Sequence, residues 1–162
     1  MSAVDRHDSP TIRVAGASDA ERLIALMRLL AMEEGSAEAL RADAHSLLRD
    51  GFGSSPRFHA LLAEAGSEVV GYASYTLGYS IWAGGSTLLL DDLFVAREWR
   101  GHGIGRQLLQ AVRGICVQQA HVHARWTVEP GTCMSSRPTI MPSSTRAGLS
   151  CTGRRKREEL RS

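Results

Sequence analysis

This 162-residue sequence has a single lysine, three cysteines and no asparagine. The phosphate-binding loop of ATP- and GTP-dependent enzymes needs a lysine followed by serine or threonine, and Lys156 is followed by arginine, so that loop is absent. Cys116, Cys133 and Cys151 cannot all pair with one another, and they lack the paired spacing of a zinc site. We therefore expect that neither disulfides nor a metal hold the fold.

Long apolar runs are also missing. No stretch approaches the roughly 18 apolar residues that a membrane-spanning helix needs. Charged residues such as Asp5 and Arg6 stand where a signal peptide would carry its apolar segment. We expect a cytoplasmic protein with no membrane partner. The composition, 43% hydrophobic and 22% charged, is typical of one globular domain.

An excess of positive charge is absent from most of the chain, although the net charge is +2. Residues 1–130 contain twelve arginines against fifteen aspartates and glutamates, a balance of −3. Residues 131–162 contain six arginines and one lysine against two glutamates, a balance of +5. The basic charge therefore lies in the tail, and we expect no nucleic-acid partner.

Apolar periodicity predicts an alternation of strands and helices. Residues 1–10 are predicted to be a disordered leader, and Ser18 with Glu21 to form the capping box that opens the first helix. We expect Gly51 to end the second helix in the left-handed conformation and Gly71 to mark a bulge or a close neighbour. The predicted helices are 19–33, 37–50 and 103–120, and the predicted strands are 11–15, 58–64, 69–76, 86–95 and 122–130.

The character of the sequence changes after Pro130. Only eight of the following thirty-two residues are apolar, and ten are serine or threonine. We therefore predict an α/β domain over residues 11–130 and a basic tail of low order, without helix or strand, over residues 131–162. Our hypothesis is that this tail is translated out of frame, which the nucleotide sequence around residues 128–140 would test.

Glycines cluster between the fourth predicted strand and the third predicted helix. Residues 100–105 read R-G-H-G-I-G, and the alternating glycines let successive backbone N–H groups turn toward one point at the positive end of the helix. Such a loop can bind an anion such as a diphosphate. The dinucleotide fingerprint is not met, because Leu108 stands where its third glycine is required. A turn that only links strand to helix is the alternative.

This loop resembles the acetyl-CoA signature Q/R-x-x-G-x-G/A of the GNAT superfamily of N-acetyltransferases. Segments 48–53, 58–64, 79–82 and 90–95 are similar, in order and spacing, to the diamine (spermidine/spermine) acetyltransferase branch. The likeness extends over about residues 11–129. The resemblance implies a GNAT-like mixed, largely antiparallel sheet with flanking helices, a homodimer, and acetyl transfer from acetyl-CoA to a small primary amine.

The resemblance also implies where the two substrates bind. In the family, the pantetheine arm of acetyl-CoA runs along the fourth strand, the pyrophosphate rests on the glycine loop, and no metal takes part. An acidic residue at the position of Asp91 binds the substrate amine and helps to remove its proton. The implied cofactor residues are Leu93, Phe94, Val95, Arg100, Gly101, His102, Gly103, Ile104, Gly105 and Arg106.

Acidic side chains are the candidates for the amine chemistry. An ammonium with a pKa of about 10.4 must lose a proton before its nitrogen can attack a thioester. Asp91 and Asp92 form a pair that we expect to be buried, either as the catalytic carboxylates or as a satisfied strand end. Neighbouring strand residues face opposite sides, so the pattern does not separate the two. Glu33 and Glu34 are expected to attract a cationic substrate or to form a solvated helix end, and Trp82 belongs to the pocket loop.

One part of the family pattern has no counterpart. The superfamily carries an asparagine and, seven residues later, a tyrosine that protonates the leaving thiolate, both after the fifth strand. This chain has no asparagine, and its tyrosines are Tyr72, Tyr75 and Tyr79. We therefore expect the last helix and strands to be missing. In the alternative that follows, the fifth strand has lost its neighbour and exposes an edge. The alternative function is a catalytically impaired or inactive product that at most binds CoA.

Overall fold

A computed structural model of the chain describes residues 10–121, 123–127 and 146–150. The strands are β1 (Thr11–Val14), β2 (His59–Ala65), β3 (Glu68–Ser80), β4 (Gly85–Val95), β5 (His123–Thr127) and β6 (Arg146–Ser150). The helices are α1 (Ala20–Glu33), α2 (Ala44–Gly51) and α3 (Ile104–Gln118), with 3₁₀ turns at Ala17–Asp19, Ala37–Ala39 and Arg97–Trp99. The strands form one sheet in chain order, antiparallel except for the pair β4–β5. This sheet confirms the predicted fold class.

Both faces of the sheet are covered by helices. In β2, Leu61 and Ala63 pack in the core beneath α3, whereas Leu62 packs in a second core beneath α1 and α2. This alternation follows from the two-residue period of a strand. The predicted apolar stripe of α3 is buried at Ile104, Leu108, Val112 and Cys116. Burial of these two apolar layers holds the sheet rigid beneath the site described below.

The first helix covers nearly the predicted range, but the residues at its start differ from those predicted to cap it. Ser18 lies within a 3₁₀ turn, and Asp19 is the residue that precedes α1, so the predicted capping box of Ser18 and Glu21 is wrong. Asp19 Oδ2 accepts from the Gly16 amide at 2.9 Å and from Arg13 Nη1 at 2.7 Å. The side chain of Asp19 therefore links the end of β1 to the start of α1.

The second predicted helix, 37–50, is divided in the structure. Its first residues form only a 3₁₀ turn, and α2 begins after Asp43, whose carboxylate accepts from the Ser46 amide at 2.8 Å. Ser46 Oγ in turn accepts from the Asp43 amide at 2.9 Å, so this local cap starts a new helix. Gly51 is the last residue of α2 but does not have a positive φ, so the predicted left-handed conformation is wrong. A Cβ at this position would meet the Phe58 ring at 2.3 Å, which explains why a glycine stands there.

The predicted hairpin of the second and third strands is confirmed, because β2 and β3 pair antiparallel. Gly66 has a φ of 61° in the turn between β2 and β3. The register of that pair shifts beside Gly71, where a Cβ would lie 2.8 Å from the Phe94 carbonyl oxygen. Both predicted properties of Gly71, a bulge and a close neighbour, are therefore confirmed. The β3–β4 hairpin extends four residues beyond the predicted end of β3, to Ser80.

The structure contains a strand that the sequence did not predict. Residues 146–150 form β6, which pairs antiparallel with β5 from Thr127↔Arg146 to His123↔Ser150. The expectation that nothing after Pro130 forms a strand, and that β5 exposes an edge, is therefore wrong. An alternating apolar pattern is hard to detect in five residues, and the pairing with β5 decides their conformation. The leader 1–9 and the tail segments 131–145 and 151–162 lie outside the described residues, as does the end of the predicted fifth strand.

Cys116 departs from another expectation. Its side chain is disulfide-bonded, so the expectation that disulfides do not contribute to the fold is wrong. Its partner lies outside the described residues. Within the described part of the chain, no cluster of three metal-ligating side chains occurs. None of the described helices is long and apolar enough to cross a membrane.

Candidate active site

A β-bulge interrupts the pairing of β3 with β4 at the acidic pair. Ser74 pairs with Asp92 and the next residue, Tyr75, pairs with Leu90, so Asp91 is the extra residue of the bulge. The Ser74 hydroxyl donates to Asp92 Oδ2 at 3.1 Å. A bulge of this kind bends the strand and redirects a side chain.

The bulge turns both carboxylates toward the same face of the sheet. Ser74 and Thr76 are two residues apart in β3, so their side chains share a face. The Asp92 carboxylate accepts a hydrogen bond from the Ser74 hydroxyl. The Asp91 carboxyl group has a hydrogen bond with the Thr76 side chain. The expectation that neighbours on the strand face opposite sides is therefore wrong here. The expected burial of the pair is also wrong, because Asp91 is exposed and Asp92 is half-buried.

The surroundings of Asp91 favour its neutral form. Desolvation of the carboxyl group raises its pKa, and the adjacent charge of Asp92 raises it further, whereas the hydrogen bond with Thr76 lowers it. Although the side chain as a whole is exposed, the net direction is upward. A carboxylate with a raised pKa is a better proton acceptor than an ordinary one.

Beyond the bulge, β4 has no partner on the side of β5 among the residues that the structure describes. The parallel pairing with β5 ends at Leu90↔Trp126, whereas β4 continues to Val95. The Ala96 amide donates toward β3, to the Val70 carbonyl at 2.9 Å. Because backbone groups alternate in direction along a strand, those of Val95 and Leu93 point away from β3. They face the gap between β4 and β5.

The glycine loop lies directly after this open edge. Gly101 and Gly103 have φ values of 82° and 79°, the left-handed region that glycine adopts without strain. A Cβ at either position would have no atom within 4 Å. A Cβ at Gly105 would lie 3.9 Å from Val95 Cγ2, which brings the loop against the end of β4.

The backbone amides of this loop are available for a ligand. Within the described part of the chain, the N–H groups of residues 101–106 donate to no backbone carbonyl outside the regular helix pattern, and no side-chain acceptor pairs with them. Directly after this segment, the Gln107 amide has a partner, because it donates to the Gly103 carbonyl at 3.0 Å. Three of the free amides, residues 104–106, open the fifteen-residue helix α3. Their partial positive charge makes this end of α3 suited to an anion.

Arg100 connects the loop to the end of α1. Its Nε donates to the Val95 carbonyl at 2.8 Å, and its Nη2 lies 2.5 Å from Glu33 Oε2. The guanidinium also lies 5.6 Å from the centre of the Phe94 ring, within range of a cation–π contact. The predicted substrate residue Glu33 and the predicted cofactor residue Arg100 therefore form an ion pair with each other. The His102 side chain turns to the backbone, with Nδ1 3.0 Å from the Arg100 carbonyl oxygen.

Sequence reasoning missed Tyr72, whose hydroxyl is influenced by the charges of Asp92 and Glu34. The tyrosine is fully buried, and its hydroxyl has no hydrogen-bond partner among the described residues. Its pKa is raised by burial and, to a lesser degree, by the charges of Asp92 and Glu34. Tyr72 and Phe94 pack in the core beneath α1 and α2, and Asp92, two residues before Phe94 in β4, faces the same side. Glu34 follows α1, which covers this face. A tyrosine in an alternating strand looks like a core residue, so the sequence carried no signal for this position.

Trp82 is separated from the other predicted site residues. It is fully exposed at the tip of the β3–β4 hairpin, next to the terminal pair Ser80↔Gly85. Gly85 and Asp91 are six residues apart along β4, roughly 20 Å at the rise of a strand. Nothing within the described residues brings Trp82 to the bulge, and its role in substrate binding stays a prediction.

Comparisons with known proteins identify the family of this chain. The model of the acetyltransferase (GNAT) family matches residues 23–134. Thialysine N-epsilon-acetyltransferase of Bos taurus is 33% identical over 125 residues, 72% of this chain and 73% of the relative. A human spermidine/spermine N(1)-acetyltransferase-like protein 1 is 36% identical over 113 residues, 65% of this chain but only 16% of that protein's length.

Solved structures show the same fold at lower sequence identity. An aminoglycoside acetyltransferase from a soil metagenome, in complex with sisomicin, has a TM-score of 0.65 at 15% identity and covers 83% of this chain and 94% of its own. A ribosomal-protein-alanine N-acetyltransferase of Brucella melitensis has a TM-score of 0.60 at 16% identity, over 76% of this chain and 82% of its own. With the family match over more than half of its residues, the chain belongs to the GNAT family of N-acetyltransferases.

Proposed function

We propose that this chain transfers the acetyl group of acetyl-CoA to a small primary amine, namely a polyamine, a diamine or an amino-acid-like amine. The observation that carries the proposal is the row of unpartnered amides at 101–106, beside an open strand edge and two carboxylates. Relatives named for thialysine and for spermidine/spermine support an amine acceptor. Both names are compatible with a polyamine, a diamine or an amino-acid-like amine as the acceptor.

The glycine loop suits the diphosphate of acetyl-CoA. Backbone N–H groups at 101–106 would hold its oxygens, with each charge-assisted hydrogen bond contributing about 1.5–3 kcal/mol. Open space at Gly101 and Gly103 leaves room for a ligand where side chains would stand. The outward backbone groups of Leu93 and Val95 would hold the pantetheine arm. When bound, acetyl-CoA supplies the acetyl thioester.

The acidic pair would act on the amine. A protonated amine is attracted by the negative charges of Asp91, Asp92 and Glu34, which lie on one side of the sheet. Asp91 is the better candidate for the proton acceptor, because its pKa is raised and its side chain is accessible. Asp92 is held by Ser74 and would mainly position the ammonium. Proton transfer of this kind contributes about 10²- to 10⁴-fold to a rate.

A second candidate function follows from the missing tyrosine and asparagine. The chain has no asparagine, and the described tyrosines stand on β3. A product that binds CoA but turns over slowly, or not at all, is the alternative to the active enzyme. A homodimer, a cytoplasmic location and the absence of a nucleic-acid partner are further parts of the proposal, from the family likeness and the charge distribution.

A thiol-release assay distinguishes the two functions. The full chain is supplied with acetyl-CoA and, in separate reactions, with spermidine, putrescine, lysine or thialysine, and free CoA is measured. The enzyme proposal predicts amine-dependent CoA release with at least one acceptor. Binding of CoA without release with any acceptor would favour the impaired product, and absence of CoA binding would contradict both.

A further inference from the structure

Arg100 spans the two halves of the proposed site. One end of its guanidinium donates to the Val95 carbonyl on the open edge of β4, and the other pairs with Glu33 at the end of α1. The glycine loop, which carries Arg100, and the helix end, which carries Glu33, are 67 residues apart in sequence. A single side chain therefore touches both the edge proposed for acetyl-CoA and the end of α1, which Glu34 follows.

We propose that Arg100 is a positioning residue that makes the binding of the two substrates interdependent. In the free enzyme it pairs with Glu33, and when acetyl-CoA occupies the edge of β4 it leaves Val95 and releases Glu33 to the cationic acceptor. This inference rests on the proposed function, because it assumes that the open edge is where acetyl-CoA binds.

Competition for the Val95 carbonyl is the first step. This carbonyl points into the gap between β4 and β5, where a pantetheine arm would find its backbone partners. In this structure, Arg100 Nε donates a hydrogen bond to the Val95 carbonyl oxygen at 2.8 Å. A hydrogen bond from the arm to this carbonyl would compete with the one from Arg100 Nε, and in this proposal the arm displaces the guanidinium.

Release of Glu33 is the second step. The guanidinium neutralises Glu33 in the free enzyme, so the carboxylate adds little to the potential felt by an amine. Glu33 ends α1, where the helix dipole favours cations, and Glu34 follows it. Once Arg100 has moved, a further negative charge becomes available on the acceptor side. By thermodynamic linkage, each substrate then tightens the binding of the other.

The ion pair is weak enough for a ligand to break. The two side chains are 44% and 32% exposed, and pairs with that degree of exposure contribute little to stability because water screens them. A ligand that makes several backbone hydrogen bonds to the loop and edge outweighs such a pair. The coupling should accordingly be modest, on the order of threefold in affinity.

Calorimetric titration with CoA tests the inference with two matched variants. Glu33→Gln frees Arg100 from its partner, and we expect CoA to bind roughly threefold more tightly than to the wild type. Glu34→Gln removes the same charge from the next residue, which forms no ion pair with Arg100 in the described part of the chain. Its effect measures the change caused by charge alone, and we expect a smaller gain in affinity than for Glu33→Gln.

Steady-state kinetics supply a readout that a purely structural ion pair would not move. Glu33→Gln should lower the KM for acetyl-CoA and raise the KM for the amine, two changes of opposite sign. Equal CoA affinity of Glu33→Gln and Glu34→Gln, or weaker binding by Glu33→Gln, would overturn the inference while leaving the proposed function intact. Failure of the wild type to bind CoA would instead overturn the proposed function itself.

Discussion

Ser74 and Asp92 face each other across β3 and β4, and the serine hydroxyl donates to the aspartate carboxylate at 3.1 Å. The next residue of β3, Tyr75, pairs with Leu90, so Asp91 has no partner in the β3–β4 pairing. Its side chain has a hydrogen bond with Thr76, on the same face as Ser74. Two residues adjacent in a strand thereby point to one side. The hydrogen bond fixes Asp92, whereas Asp91 is exposed and has a raised pKa. We expect the two carboxylates to have different roles.

Replacing each aspartate in turn tests this division. Asp91→Asn should lower kcat about 10²-fold, because the amide cannot accept the proton of the amine. Asp92→Asn should mainly raise the KM for the amine, because it removes a fixed charge from the binding face. Steady-state kinetics with the best acceptor from the thiol-release assay measure both values. A wild-type kcat in Asp91→Asn would contradict the assignment of the base.

The pH dependence of kcat follows from the raised pKa of Asp91. A base must be deprotonated to work, so the activity rises as the pH increases through its pKa, which lies above the ordinary value of 3.8. The acidic limb of the kcat profile should therefore lie above pH 3.8 in the wild type. It should be absent in Asp91→Asn. An unchanged limb in that variant would mean that another group accepts the proton.

Tyr72 provides a prediction about stability. Its hydroxyl is buried and has no partner among the described residues, and a buried unsatisfied polar group costs free energy. Tyr72→Phe removes the hydroxyl and keeps the ring, so the free energy of unfolding should rise by about 1 kcal/mol. Thermal denaturation should show a Tm higher by about 2–4 °C. A lower Tm would mean that the hydroxyl has a partner, such as an ordered water.

Asp19 accounts for part of the acid sensitivity. Hydrogen bonds from Arg13 lower its pKa below the ordinary value of 3.8, against the opposing effect of desolvation. A depressed folded pKa contributes stability that is present above pH 3.8 and is lost as the pH falls toward the folded value. Asp19→Asn should lower the free energy of unfolding by about 2 kcal/mol at pH 7, and should reduce its loss in acid.

The matched control for Asp19 is an exposed ion pair. Asp50 lies 2.6 Å from Arg49, with 33% and 62% of the two side chains exposed. Asp50→Asn should change the free energy of unfolding far less than Asp19→Asn, since water screens the exposed pair. Chemical denaturation at pH 7 and at pH 4 compares the two variants with the wild type. Equal effects would show that burial of Asp19 adds nothing to its pairing.

Elements with a long, regular pattern were predicted well from the sequence. The apolar stripe of α3 and the tight turn around Gly66 gave nearly the observed ranges of α3 and β2. The second helix was predicted wrongly, because the reciprocal cap of Asp43 and Ser46 starts a new helix within an apparently continuous pattern. β6 was missed since the pairing with β5, which no local pattern reveals, makes these five residues a strand.

The candidate site shows the same contrast between features of consecutive residues and features of residues far apart in the sequence. The glycine loop was visible in the sequence because its chemistry depends on consecutive residues. The bulge at Asp91, the pair Arg100–Glu33 and the orphaned hydroxyl of Tyr72 depend on residues that meet only in the folded chain, up to 67 positions apart. A one-residue slip in register decides which way Asp91 points, and such slips leave no periodic trace.

The central claim is that backbone amides of the glycine loop bind the diphosphate of acetyl-CoA. Gly103→Ala and Gly66→Ala impose the same kind of strain, because both glycines have positive φ and open space around a Cβ. Only the Cβ at Gly103 would stand in the proposed diphosphate site. Calorimetric titration with CoA should give similar affinities for the wild type and Gly66→Ala, and an affinity roughly tenfold lower or more for Gly103→Ala. Undiminished affinity in Gly103→Ala, or no binding by the wild type, would contradict the claim.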